Sequence, residues 1–173
     1  MNRYTVKILI YEIEPTIWRS FSIDGDTTFS QFHKAIQDVM GWEDRHAHEF
    51  RHGKGKQLND VIANSDHEHA GQSYFTDEKN ITLDTFVGRK KAPLRLLYRY
   101  DFFEDWVHEI TIQSKVSTDS ATPIEVIDGE RACPPEDSGG ALEYMACLRG
   151  DSDWLNIDYD PEAFDLSNIS FRK

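Results

Sequence analysis

Two stretches of alternating hydrophobic and polar residues open the chain and predict a pair of half-buried β-strands. Within residues 3–13, positions 4, 6, 8 and 10 are all apolar. A second alternating stretch begins at Ile17 and ends at residues 24–26, which are Asp-Gly-Asp. Because side chains two residues apart lie on the same face of a strand, each stretch would bury one face. Pro15 lies between the two stretches, so the pattern indicates a hairpin.

A helical period follows and predicts the first helix. Thr28 is a typical N-cap, and Gln31 three residues later completes a capping box. The apolar stripe consists of Phe29, Phe32, Ile36, Val39 and Met40. Gly41 suits a left-handed C-cap, with Trp42 folding back over the last turn. A third strand is expected at residues 47–52, so the order of hairpin, helix and strand is similar, by analogy only, to a β-grasp arrangement.

The remaining elements complete the predicted fold. Residues 53–81 show no sustained period and are expected to form a long loop, whereas residues 94–113 alternate and predict a second hairpin that turns near residues 102–105. Further elements are expected as a short helix at 83–87, a short strand at 124–127, a helix at 141–149 and a last short helix beginning at Asp160-Pro161-Glu162. The sequence therefore predicts the α+β class, with a single domain over residues 1–173 and a largely antiparallel sheet.

Charge and composition narrow the classes of partner. The 173 residues contain 19 Lys and Arg against 31 Asp and Glu, a formal net charge of −12. A surface that tracks nucleic-acid phosphates needs excess positive charge, so nucleic acid is an unlikely partner. The N-terminus has no signal-peptide pattern and no apolar run approaches a membrane-spanning length. We therefore expect a cytoplasmic protein without a membrane partner.

The negative charge is concentrated near the C-terminus. Residues 116–173 contain 4 basic and 13 acidic residues, which gives −9 of the total −12. Apolar residues are interleaved with these acids, which favours a packed segment with an acidic face over a loose tail. These apolar residues are Trp154, Leu155, Ile157, Tyr159, Phe164, Leu166, Ile169 and Phe171.

Histidines in the third predicted strand are candidate metal ligands. His46 and His48 would lie on one face of a strand and could converge on one divalent ion. Carboxylates and a histidine from the second hairpin would complete the site. The candidate metal ligands are His46, His48, Asp101, Asp105 and His108. The alternative is that these histidines are structural and satisfy buried polar groups, so a metal cofactor is possible but not required.

A second set of residues could bind a peptide or a small molecule. Aromatic anchors beside fixed polar groups suit such a role. Residues 131–140 contain paired prolines and paired glycines, a rigid segment that could hold a carboxylate in place or could only direct the chain into the next helix. The candidate ligand-binding residues are Trp18, Arg19, Trp42, Trp106, Arg131, Glu136 and Asp137.

The order of several short motifs resembles a known family, the plasmid Ri open-reading-frame-three-like proteins, whose members also occur in insertion elements under a resolvase label. The resemblance covers nearly the whole chain. It is carried by Pro15-Thr16-Ile17-Trp18-Arg19, Phe32-His33, Met40-Gly41-Trp42, His46-Ala47-His48-Glu49-Phe50, Tyr100-Asp101-Phe102, Trp106, His108, Cys133-Pro134-Pro135-Glu136-Asp137 and Gly139-Gly140. Phe103, Glu104 and Ser138 depart from the family pattern, which has glycine, aspartate and cysteine there.

The resemblance implies a compact α+β fold and a mobile-element context, but no established activity. We expect an accessory or binding module for an unknown protein or small-molecule ligand. The alternative is a metal-assisted hydrolase that uses the histidine and aspartate cluster. A recombinase is disfavoured because a charge of −12 does not suit a DNA-binding surface.

Overall fold

Eight strands form a single sheet in the computed structural model, which describes residues 1–54, 57–153 and 158–172. The strands are β1 (Asn2–Ile10), β2 (Trp18–Asp24), β3 (His48–Lys54), β4 (Gln57–Ala63), β5 (Phe75–Asp77), β6 (Leu94–Tyr100), β7 (Trp106–Ser117) and β8 (Glu125–Glu130). Their spatial order is β5-β4-β3-β6-β7-β1-β2-β8. Neighbouring strands are antiparallel except for β4 and β5, which are parallel. The predicted α+β class with a mostly antiparallel sheet is confirmed.

Three α-helices and a 3-10 helix accompany the sheet. They are α1 (Phe29–Met40), α2 (Leu83–Val87), α3 (Gly140–Arg149) and the 3-10 helix Leu166–Asn168. Helix α1 follows the first hairpin as predicted and leads into β3. In the sheet, however, β6 and β7 separate β3 from β1, so the analogy with a β-grasp arrangement extends to the order of elements along the chain and not to the pairing of β1 with β3.

The hydrophobic core lies between α1 and one face of the sheet. Alternation places Val6, Ile8 and Ile10 of β1 inside, where they are almost fully buried. The ring of Phe32 on α1 stacks on Phe50 of β3, with centroids 5.6 Å apart. These contacts follow from the two periods in the sequence, 2 for the strands and 3.6 for the helix.

Both ends of α1 are capped as the sequence predicts. The side chain of Thr28 accepts a hydrogen bond from the backbone N–H of Gln31, and the side-chain oxygen of Gln31 accepts one from the backbone N–H of Thr28. Gly41 adopts φ 81° at the C-cap. The backbone N–H of Trp42 donates to the carbonyl of Gln37 at 2.9 Å, and the Trp42 ring packs against Tyr100 and Trp106 of the β6–β7 hairpin.

The structure corrects two sequence-based predictions. Residues 53–81 are not a long loop, because β4 and β5 lie within them and extend the sheet beyond β3. The short helix predicted to begin at Asp160 is replaced by a turn at residues 161–162 and the 3-10 helix further along. Of the apolar residues expected to pack near the C-terminus, Tyr159, Ile169 and Phe171 lie against the core. Trp154, Leu155 and Ile157 lie outside the described residues.

Within the part of the chain that the structure describes, none of the helices combines the length and the apolar character needed to cross a membrane.

Candidate functional site

Three chain segments meet beside the N-terminal end of β3. They are the segment between α1 and β3, the β6–β7 turn at residues 101–105, and residues 131–139, which precede α3. Each segment is short, and each is anchored at both ends by a helix or strand. The side chains that they bring together are therefore placed by the sheet and by α1.

The three segments form a cluster of one imidazole and three carboxylates, here named the open cluster: His46, Asp101, Glu136 and Asp137. Nε2 of His46 lies 2.9 Å from Oδ1 of Asp137, 3.8 Å from Oδ2 of Asp101 and 3.9 Å from Oε2 of Glu136. The Asp101 side chain is buried and the Glu136 side chain is 10 % exposed, whereas 31 % of His46 and 58 % of Asp137 is exposed. The cluster therefore has a buried floor and a rim that faces solvent.

Backbone conformation and local hydrogen bonds aim the two aspartates. Asp101 and Asp137 have φ values of 55° and 56°, in the left-handed region that aspartate tolerates better than most residues. Oδ1 of Asp101 accepts the backbone N–H of Phe103 at 3.0 Å. Its other oxygen, Oδ2, is the one that faces His46. Left-handed geometry at two residues of one cluster is the kind of local strain that concentrates at functional sites.

Glu136 is held by donors from two directions. Its Oε1 accepts the backbone N–H of Glu43 at 2.7 Å and the hydroxyl of Tyr100 at 3.0 Å. The Tyr100 hydroxyl in turn accepts the backbone N–H of Arg45 at 3.0 Å. Burial raises the pKa of Tyr100 above its usual value, so the hydroxyl stays protonated and donates to the carboxylate. Glu136 is thus a carboxyl group fixed in position at the floor of the cluster.

Trp42 and Trp106 lie beneath the open cluster rather than on a binding surface. They are only 4 % and 2 % exposed, and Trp42 stacks on Tyr100 with centroids 5.1 Å apart. The indole N–H of Trp42 donates to the carbonyl of Pro134 at 2.8 Å. The indole N–H of Trp106 donates to Oε2 of Glu104 at 2.9 Å. These two tryptophans fix the loops and do not serve as exposed anchors, which corrects that part of the predicted ligand surface.

The other residues of the predicted ligand-binding set lie away from the open cluster. Arg19 is buried, and its guanidinium donates to the carbonyls of Val39, Glu130 and Arg131. The buried Arg131 side chain forms an ion pair with Glu162. Trp18 donates to Oε2 of Glu130 and lies under the ammonium of Lys7. Trp18 therefore links β2 to β8, Arg19 links β2 to the segment after β8, and Arg131 links that segment to Glu162. Of the predicted set, only Glu136 and Asp137 join the open cluster.

The predicted metal ligands are also divided. His46 and Asp101 come together, but Asp105 turns outward into an ion pair with Arg99. His108 is fully buried on β7, with Nδ1 3.1 Å from the carbonyl of Trp106. Burial lowers the pKa of His108 to about 4, so its ring is neutral. Since β7 directs His108 into the core, it cannot reach the open cluster.

His48 belongs to a different group, here named the buried cluster: His33, Asp44, His48 and Glu78. The side chains of His33, His48 and Glu78 are buried, and 38 % of the Asp44 side chain is exposed at its edge. The rings of His33 and His48 stack face to face, with centroids 3.4 Å apart and planes 3° apart. Each ring bonds a separate carboxylate, His33 through Nε2 to Asp44 and His48 through Nε2 to Glu78, both at 2.7 Å. His46 precedes the first residue of β3, so the strand rule that placed it on the same face as His48 does not apply.

His33, Asp44 and Glu78 are not among the metal ligands or ligand-binding residues that the sequence patterns predict. A signal was present on α1, where His33 and Gln37 are spaced i, i+4 and flank the apolar stripe, and both are buried. Two polar residues in that position must find buried partners. Glu78 carried no comparable signal, because it lies in the segment that was expected to be a loop.

The donor atoms of the open cluster suit a metal ion. His46, Asp101 and Asp137 each offer one donor atom, and these atoms all lie within 4.8 Å of one another. One imidazole nitrogen with carboxylate oxygens is a donor set that zinc and other borderline divalent ions accept. The same side chains without an ion form a histidine ion-paired to surrounding carboxylates, so the geometry supports binding but does not by itself define a reaction.

Comparisons with known proteins identify a family, a sequence relative and a similar solved structure. A sequence model of the family described as "Plasmid pRiA4b ORF-3-like protein" matches residues 2–168. The uncharacterized protein y4hQ of Sinorhizobium fredii (strain NBRC 101917 / NGR234) is 25 % identical over 177 residues, which cover 95 % of this chain and 87 % of that protein. The crystal structure of MM3350, a protein of unknown function from Methanosarcina mazei Go1, has a TM-score of 0.81 and 32 % identity, with 98 % of both chains covered.

Proposed function

The chain belongs to the plasmid pRiA4b ORF-3-like family, whose matched relatives have no assigned function, and we propose that it is a binding module that holds a divalent metal ion in the open cluster. The observation that carries this proposal is the convergence of His46, Asp101 and Asp137 from three separate chain segments. Their donor atoms lie within 4.8 Å of one another although the residues are far apart in sequence.

The environment of each donor supports a cation. Asp101 and Glu136 are negative groups with little exposure, and repulsion between neighbouring carboxylates is relieved by a positive ion between them. Glu136 is already occupied by the Glu43 N–H and the Tyr100 hydroxyl, so it acts as a fixed charge behind the ligands. Outer groups of this kind orient metal ligands and tune the affinity of the site.

The exposed rim supports a further ligand bound through the metal. His46 and Asp137 face solvent in part, which leaves room for oxygen atoms from a small molecule or a peptide. The guanidinium of Arg45 lies 3.4 Å from Asp137, so a positive group stands beside the site and favours a ligand with a carboxylate or phosphate. The family's plasmid association supports a role as an accessory module of a mobile genetic element.

Metal-assisted hydrolysis is the second candidate. An ion with open positions toward solvent can bind a water molecule and lower its pKa, which makes a nucleophile at neutral pH. The exposed rim of the open cluster is the observation that favours this activity. The binding module remains the first proposal, because metal binding needs only the ligands of the open cluster, whereas hydrolysis also needs an activated water molecule.

Metal titration of chelator-treated protein tests the proposed function. Isothermal titration with Zn²⁺ and Mn²⁺ is compared for wild type, His46→Ala and the control Asp105→Asn, which alters an exposed carboxylate outside the open cluster. The proposal expects His46→Ala to lower the number of bound ions by one and Asp105→Asn to leave it unchanged. An unchanged number in His46→Ala would refute the site. Metal-loaded protein assayed on phosphoester, ester and peptide substrates separates the hydrolase from the binding module.

A further inference from the structure

We propose that the surface around the β6–β7 turn and the start of α3 docks a basic polypeptide, through six residues here named the apolar patch: Tyr11, Leu97, Phe103, Val107, Ala141 and Leu142. None of these residues belongs to the open cluster, so the proposal is independent of metal binding. The partner is a segment that presents an apolar side chain flanked by Lys or Arg.

Phe103 and Leu142 are the most exposed large apolar residues in the part of the chain that the structure describes. Phe103 is 97 % exposed and Leu142 is 80 % exposed, whereas no other large apolar residue there exceeds 54 %. A single exposed apolar residue is ordinary on a protein surface. Two of them beside an apolar cavity form a patch of the kind that marks an interaction site.

Contacts of Glu104 bring the two residues onto neighbouring segments. Phe103 directly precedes Glu104 in the β6–β7 turn, and Oε1 of Glu104 accepts the backbone N–H of Gly139 at 2.6 Å. Gly140 approaches the same turn so closely that a Cβ there would lie 2.4 Å from the Glu104 carbonyl oxygen. Leu142 lies two residues further on, in the first turn of α3. The start of α3 is therefore packed against the turn that carries Phe103.

A cavity of about 280 Å³ adjoins both segments. Ala141, next to Leu142 in the chain, is one of its walls. Leu97 and Val107 are two more, and strand alternation directs both to the sheet face away from the core. Tyr11 is also a wall, and its hydroxyl donates to a carboxylate oxygen of β7. The volume lies just below the range of about 300–1,000 Å³ typical of small-molecule sites, so the cavity suits one apolar side chain.

The charges around this cavity indicate a basic partner. Glu12 and Asp105 line it, and none of the lining residues is basic. Glu12 is exposed and has no ion-pair partner among the described residues. Arg95 and Arg99 of the neighbouring strand β6 are already paired, with Glu109 and Asp105 respectively. A net charge of −12 also disfavours a second copy of this chain and favours a cationic partner.

Fluorescence anisotropy with three labelled peptides of equal length tests the docking surface. The probes are a Lys/Leu peptide, a Glu/Leu peptide and a Lys/Ser peptide. Wild type is expected to bind the Lys/Leu peptide at least about tenfold more tightly than either of the others. Three results would overturn the proposal: no binding of the Lys/Leu peptide, equal binding of the Glu/Leu peptide, or equal binding of the Lys/Ser peptide.

The double variant Phe103→Ser, Leu142→Ser locates the binding surface. Both side chains are exposed, so the variant should keep the thermal melting curve of wild type and bind the Lys/Leu peptide about tenfold more weakly. The matched control is Val116→Ser, Ile127→Ser, which removes two apolar residues that are 54 % and 48 % exposed elsewhere on the sheet. The control should bind as wild type does. Equal weakening in the two double variants would contradict the assignment to the apolar patch.

A charge variant and a measurement of mass complete the test. Glu12→Gln should weaken binding of the Lys/Leu peptide, whereas Glu125→Gln, which changes an exposed carboxylate on β8, should not. Sedimentation velocity should show a wild-type monomer. A wild-type dimer that dissociates in Phe103→Ser, Leu142→Ser would assign the apolar patch to a second copy and overturn the basic partner. The same double variant should bind metal with wild-type stoichiometry, so failure of the apolar patch is distinguishable from failure of the open cluster.

Discussion

The open and buried clusters contain the same chemical groups in opposite surroundings. Both combine imidazole with carboxylates, and both draw a residue from the segment between α1 and β3, Asp44 in one case and His46 in the other. In the buried cluster each histidine has a defined carboxylate partner at 2.7 Å. In the open cluster one histidine faces three carboxylates at 2.9 to 3.9 Å, with water able to reach the rim.

The difference shows how burial separates structural from ligand-binding roles. A buried polar group that loses its partner pays the full cost of desolvation, so the buried cluster must be complete for the fold to be stable. An exposed group exchanges its partner for water at little cost, so the open cluster is free to exchange ligands. Mutation of the buried cluster should therefore lower the stability of the fold, whereas mutation of the open cluster should lower ligand affinity.

Glu78→Ala gives the largest predicted change and compares the clusters directly. Removing this carboxylate leaves the buried His48 ring without its partner, so we expect the free energy of unfolding to fall by about 3–5 kcal/mol. The matched change in the open cluster, Asp137→Asn, keeps a residue that tolerates φ 56° and should alter it by less than about 0.5 kcal/mol. Urea denaturation of metal-free protein measures both. Equal losses in the two variants would remove the distinction between the clusters.

Gly140→Ala tests whether the start of α3 positions the open cluster. A Cβ at Gly140 would lie 2.4 Å from the carbonyl oxygen of Glu104, and the residue has φ 80°. We expect a loss of about 2–3 kcal/mol in the free energy of unfolding, together with weaker metal binding by Asp137. Gly150→Ala is the control, since Gly150 has φ 77° with open space around it. If both variants lose the same stability, backbone strain explains the effect and the contact with Glu104 does not.

The pKa of His108 is shifted by burial, without the carboxylate partner that the histidines of the two clusters have. Burial lowers its pKa from 6.5 to about 4 in the folded protein, so the unfolded chain binds the proton more tightly. The contribution of the neutral His108 ring to the free energy of unfolding is complete above pH 6.5 and is lost as the pH falls toward 4. Between pH 7.5 and pH 5.0, wild type should lose about 2 kcal/mol relative to His108→Phe.

Denaturation of both proteins at the two pH values checks this prediction. A constant difference in unfolding free energy would show that the His108 ring is not a neutral core group. The comparison with His108→Phe cancels the contributions of the other histidines, which titrate in both proteins.

Asp137→Asn gives the smallest predicted free-energy change and concerns ligand affinity. An amide oxygen is a weaker metal ligand than a carboxylate, so we expect the dissociation constant of the open cluster to rise roughly tenfold, about 1.4 kcal/mol. Glu130→Gln, an exposed carboxylate on β8 outside the cluster, should leave it unchanged. Titration calorimetry measures both constants. If Glu130→Gln raised the dissociation constant more than Asp137→Asn does, general surface charge and not the open cluster would govern metal binding.

Local patterns in the sequence are sufficient to predict most of the fold. The alternation around residues 4–10 and the capping signals at Thr28 and Gly41 depend on neighbours within a few positions, and the structure confirms them. Strand β4 was missed because residues 57–63 show no sustained alternation, although β4 pairs with the preceding strand β3. Strand β5 was missed because it has three residues and pairs in parallel with β4 from 14 positions away along the chain. Pattern alone does not reveal such non-local pairing.

The candidate site was less predictable for the same physical reason. His46 was selected with His48 on a strand rule, but the strand begins only at His48, and the two rings enter different clusters. Asp137 was identified as a ligand-binding residue from its rigid segment, without any indication that it would contact His46. Contacts between separate loops depend on the tertiary fold, so the sequence could nominate these side chains but not pair them.

Anomalous X-ray scattering from crystals grown with Zn²⁺ is the most direct test of the central claim, that the open cluster binds a divalent ion. The account predicts a zinc peak in contact with Nε2 of His46 and with the carboxylates of Asp101 and Asp137. Absence of a peak at that position, at zinc concentrations that saturate binding in solution, would contradict it.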